Sequence, residues 1–99
     1  MPSGGDWVRF CAAINGFRVR YGRWPTRIVA HPKFEGNLHY ILGGDALQTV
    51  RNKMELVSRD DASIVAEDDR GGAYDYGREG FTEREPDIRA QEWLGERPE

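Results

Sequence analysis

Five large apolar residues, Trp7, Phe10, Ile14, Phe17 and Tyr21, recur at intervals of three and four along WVRFCAAINGFRVRY, residues 7–21. That spacing draws one stripe down an α-helix, with Cys11 beside it. Asp6 stands where an N-cap belongs, Gly22 where a C-cap belongs, and Pro25 just beyond as a stop. A rival reading exists. Asn15-Gly16 is a strong hairpin signal and Phe17-Arg18-Val19-Arg20-Tyr21 alternates as a strand would. The helix accounts for both ends as well as the middle, at about 1 kcal/mol for a glycine in its interior, so it is the expected element.

The rest of the chain supplies what such a stripe can pack on. Residues 27–31 form a short β-branched strand ended by Pro32. Two short helices follow on either side of Gly43-Gly44. The first is marked by Phe34, Leu38, Ile41 and Leu42, with Pro32 in its first turn; the second by Ala46, Leu47, Val50 and Met54, capped by Asp45 or Gly44. MELVSRD, ASIVAED and GAYDYG read as three further strands joined by turns at Asp60-Asp61 and at 70–72. Pro86 opens a last helix with Ala90, Trp93 and Leu94 on its apolar side, and Gly95 ends it. The expected order is α-β-α-α-β-β-β-α, an α+β fold in a single small domain over residues 1–99. Its helices lie on one face of a small mixed sheet, the first strand reaches the others by a helical crossover, and the last three strands form an antiparallel meander. Residues 1–5 and 96–99 are expected to be loose.

Ninety-nine residues, 38% of them hydrophobic, suffice for one core and not for two. The single cysteine, Cys11, has no internal partner, which points to a reducing compartment. MPSGGD lacks the charged start and apolar run of a secretion signal, and no apolar stretch approaches the roughly 20 residues of a membrane span. A cytoplasmic protein with no membrane partner is the expectation.

The net charge of −3 conceals a polarised chain. Residues 1–53 hold eight Lys/Arg against three Asp/Glu, which is +5, and residues 54–99 hold six against fourteen, which is −8. Either the halves neutralise each other or they present two opposed surfaces.

The acidic half centres on AEDDRGGAYDYGREG, residues 66–80. Its acids do not follow the spacing of a calcium loop, and neighbouring acids on a strand point to opposite faces, so no metal is expected there. The stretch reads first as a hairpin with Tyr74 and Tyr76 on one face, packed on the helices. Glu67, Asp68, Asp69, Asp75 and Glu79, framing those tyrosines, form a candidate surface for a basic protein partner. Elsewhere, Cys11, His31 and His39 lack zinc spacing. Cys11 by the apolar stripe is expected to be buried and inert, and His31 has no orienting carboxylate legible in the sequence. No phosphate loop, catalytic residue or cofactor is expected.

In the basic half, Arg18, Arg20, Arg23 and Arg27 are interleaved with Tyr21 and Trp24, a composition suited to nucleic acid. Arg18 and Arg20 diverge around a helix, however, and an acidic molecule is a poor general nucleic-acid binder. Trp24-Pro25 is expected to act as a hydrophobic latch at the end of the first helix.

In composition alone, residues 55–99 resemble DNA-mimic inhibitors such as phage anti-CRISPR and anti-restriction proteins. RYGRWPTR (20–27), AEDDRGGAYDYGREGF (66–81) and AQEWLG (90–95) resemble a set of small uncharacterised bacterial and phage proteins with a YGRWPT-type loop and a YDYG-type strand. That resemblance implies no activity. The sequence thus points to a non-enzymatic interaction protein whose acidic half engages a basic, nucleic-acid-handling protein. The alternative is a small nucleic-acid-binding regulator using the four arginines.

Overall fold

In the computed structural model, which describes residues 4–60, 64–76 and 87–95, the apolar stripe is one continuous helix, α1 (Gly4–Tyr21). It begins earlier than its sequence cap suggests. Gly4 and Gly5, expected to be loose, are helical, and Asp6 lies inside the first turn, where its carboxylate serves a tertiary contact instead of the cap. Trp7, Phe10, Cys11, Ile14 and Phe17 are all buried, and the Gly22 amide donates to the Arg18 carbonyl at 2.8 Å to close the helix.

The glycine that made a hairpin conceivable has a packing reason. A Cβ on Gly16 would overlap the ring of Tyr74. The ring lies directly on the helix backbone, and only a residue without a side chain permits that approach.

β1 (Arg27–Ala30), α2 (Phe34–Leu42), α3 (Gly44–Lys53), β2 (Glu55–Ser58), β3 (Ile64–Glu67), β4 (Ala73–Asp75) and α4 (Ile88–Leu94) follow. The order is α-β-α-α-β-β-β-α, a compact α+β domain, and no described helix is long and apolar enough to cross a membrane. Pro32 precedes α2, whose N-cap is Lys33, and Gly43 rather than Gly44 or Asp45 caps α3. Pro86, expected to open the last helix, lies outside the described residues. That helix is capped at one end by the Asp87 carboxylate, which accepts the Ala90 amide at 2.9 Å. At the other end sits Gly95, whose φ of 80° is a left-handed conformation.

The sheet order is β2-β1-β3-β4. β1 pairs parallel with β2 across the α2–α3 crossover and antiparallel with β3, and β3 pairs antiparallel with β4. The expected meander is therefore corrected: β3 and β4 do form a hairpin, but β1 stands between β2 and β3. The burial of each strand explains the order. Ile28, Val29 and Ala30 are buried whichever face they point to, the mark of a central strand, while the ends of β2 are exposed, as suits an edge.

The core lies on one side of this sheet. Ile28, Ala30, Ile64, Ala66 and Tyr74 meet Phe10, Ile14 and Phe17 of α1, Phe34 and Leu38 of α2, Leu47 and Val50 of α3, and Ala90 and Leu94 of α4.

Candidate functional site

The acidic turn between β3 and β4 is built around Asp68, which is buried despite its charge. Its Oδ1 accepts the Gly72 amide at 2.8 Å and the Arg70 amide at 3.2 Å, and its Oδ2 accepts from Nε of Arg23. Arg23 foremost, helped by the two amides, holds the Asp68 carboxyl below the usual aspartate range, and Asp68 in turn raises the Arg23 guanidinium.

Arg27 occupies the neighbouring position. Its Nε donates to Glu67 at 3.0 Å and its Nη1 to Asp69 at 2.8 Å, with Asp69 first and Glu67 second in stabilising its charge. Glu67 is also the residue directly opposite Arg27 in the β1–β3 ladder, so the sheet register sets up this pair. The three acids expected to face a partner thus clasp two of the arginines expected to face nucleic acid. At this end of the molecule the two charged halves face each other.

The other expected residues are placed as follows. Tyr74 is buried against α1, and the Arg20 guanidinium lies 4.8 Å from its ring centroid. Tyr76 is half-buried against the core, and Asp75 is half-buried at the end of β4. Glu79 lies outside the described residues. The Tyr21 hydroxyl donates to the Ala73 carbonyl at 2.9 Å and accepts its amide at 3.2 Å, tying β4 to the end of α1. The four arginines do not form one surface. Arg23 and Arg27 are held by acids, Arg20 lies on Tyr74, and Arg18 turns to Trp24, 5.3 Å from its ring centroid.

Trp24 belongs to the feature that sequence reasoning saw only in part. Beyond α1 it stacks on Trp93 of α4, the rings 4.7 Å apart and 6° from parallel. The expected latch exists, and its catch is on α4. The stack is capped by cations at both ends, Arg18 on Trp24 and Lys53, whose Nζ is 5.4 Å from the Trp93 centroid. Arg18, Trp24, Arg89, Glu92 and Trp93 line a groove of about 530 Å³. Arg89, Glu92 and Trp93 share one face of α4 by their three-and-four spacing, the signal that could have found them. Ile88, 55% exposed, continues that face one turn before Glu92.

The fold brings a carboxylate next to His31, that of Asp6 in the first turn of α1. The Asp6 side chain is buried, accepts from Asn37 Nδ2 at 2.6 Å and from Arg9 Nη1 at 3.0 Å, and stands 3.5 Å from His31 Nε2. The cavity that His31 lines is about 10 Å³, room for no more than one water. The cluster ties α1 to the end of β1 and to α2. Cys11 is buried, and burial foremost, with Asp87 adding to it, pushes its thiol far above the usual range, so it carries no thiolate.

The chain matches no protein-family model, no curated protein and no solved structure.

Proposed function

We propose that this is a non-enzymatic protein-interaction module whose contact surface is the groove between the end of α1 and α4. The observation that carries the reading is the Trp24–Trp93 stack, half-exposed at the mouth of the groove and flanked by Arg18 and Arg89. Tryptophan and arginine dominate the energetics of protein interfaces, and here they converge from separate elements. The acidic turn offers a partner less, because Glu67, Asp68 and Asp69 already hold the protein's own arginines.

Nucleic acid is a weaker fit to the same groove. Base stacking needs a free aromatic face, whereas the inner faces of the two tryptophans cover each other and a cation lies over each ring. Glu92 on the same rim opposes a phosphate backbone.

The test is retention of cell-lysate proteins on immobilised wild type and on Trp93→Ala, with and without nuclease, the fold of the variant being checked by circular dichroism. A protein held by the wild type through nuclease treatment and lost from the variant supports the reading. Equal retention on both refutes it, and material that disappears with nuclease transfers the function to nucleic acid.

A further inference from the structure

Several of the described arginines are neutralised within the chain. Arg9, Arg23, Arg27 and Arg51 each reach a carboxylate of the chain itself, respectively Asp6, Asp68, Glu67 with Asp69, and Glu35. The two that line the groove do not. The Arg18 Nε is buried without a hydrogen-bond partner, and the Arg89 guanidinium, on the exposed face of α4, makes no ion pair or hydrogen bond among the described residues. Glu92, one turn beyond Arg89, is not paired with it either.

We propose, building on the reading of the groove as a protein contact, that its occupant is an acidic segment of a partner protein. Carboxylates of that segment lie on Arg18 and Arg89, and an apolar side chain between them lies against the edges of Trp24 and Trp93. Charge complementarity carries the choice. Among the described residues, the groove and its flank present Arg18, Arg89 and Lys53 against Glu92, in a molecule of net charge −3. The apolar requirement follows from the half-exposed Trp24 and Trp93 and from Ile88 on the same face of α4. A guanidinium binds a carboxylate in a two-pronged geometry that an ammonium does not reproduce, so Arg89→Lys is a weakened variant and Arg89→Glu a reversed one.

The experiment is selection from a random peptide library displayed on phage, panned on the wild type and on Arg89→Glu, with the affinity of the enriched peptides then measured by tryptophan fluorescence. Arg89 is exposed and makes no ion pair among the described residues, so the reversal is expected to leave the fold intact, and circular dichroism checks this. The expected result is enrichment of peptides with net negative charge around an aromatic or aliphatic residue. They bind Arg89→Glu at least about tenfold more weakly, and binding to the wild type weakens as salt rises. Enrichment of neutral or basic peptides, no enrichment, or equal affinity for Arg89→Glu overturns the proposal. The underlying reading fails separately. If Trp93→Ala loses its lysate partner while Arg89→Glu retains it, the groove is a contact surface and the acidic occupant is wrong. If Trp93→Ala retains the partner, the groove itself is wrong.

Discussion

At Gly16 two opposing effects fall on one residue. Alanine would add helix propensity worth about 1 kcal/mol, yet its methyl would enter the Tyr74 ring, and overpacking of a fitted contact costs about 1–3 kcal/mol. Gly16→Ala is therefore expected to lower stability in urea unfolding. In a Tyr74→Ala background the same change is expected to raise stability by up to about 1 kcal/mol, since the ring is gone and the propensity remains. The sequence displays the glycine and its cost but not the reason, because the reason stands on β4, far along the chain. Asp68 is a second case. DDRGG is readable as a turn, but which of its acids folds inward depends on Arg23 and on the Gly72 and Arg70 amides, which only the closed turn brings together. Because the carboxyl is held below the usual aspartate value of 3.8, its contribution is complete above that pH and is lost as pH falls through the folded value. Thermal melts between pH 7 and pH 2 are expected to show a steep acid limb, flatter in Asp68→Asn, which is also less stable at neutral pH.

Helix α4 is the element on which the site depends. It is short, so its position rests on its ends and its apolar side rather than on its own propensity. Asp87→Ala removes the N-cap and is expected to cost about 1 kcal/mol; Leu94→Ala opens the core beneath it and is expected to cost about 2–5 kcal/mol. Both are measured by denaturant unfolding, and the first should also dim the Trp24–Trp93 exciton couplet in far-ultraviolet circular dichroism. The type and order of the elements were legible from periodicity, caps and Pro/Gly punctuation, since each is a local property. The strand order was not. A meander is the simplest joining of consecutive strands, and what displaced it was the apolar run of Ile28, Val29 and Ala30, which needs cover on both faces and so takes the middle of the sheet. The groove was half legible. Trp24 and the WLG ending of α4 were visible, but no spacing rule joins residue 24 to residue 93.

Across the whole molecule, the opposed charges of the two halves are spent on each other where they meet: Arg23 and Arg27 of the basic half hold Asp68, Glu67 and Asp69 of the acidic one. That contact keeps β4 in place against the end of α1, while Arg18 and Arg89 reach no carboxylate among the described residues. The measurement that most directly separates an outward-facing acidic turn from an outward-facing groove is a map of amide and indole chemical shifts in the ¹⁵N-labelled protein on addition of a captured partner. If the groove is the contact surface, the perturbed signals are the Trp24 and Trp93 indoles and the amides of Arg18, Arg89 and Glu92, with residues 67–69 unmoved. Shifts concentrated at Glu67, Asp68, Asp69 and Asp75, with both indoles unchanged, would contradict it.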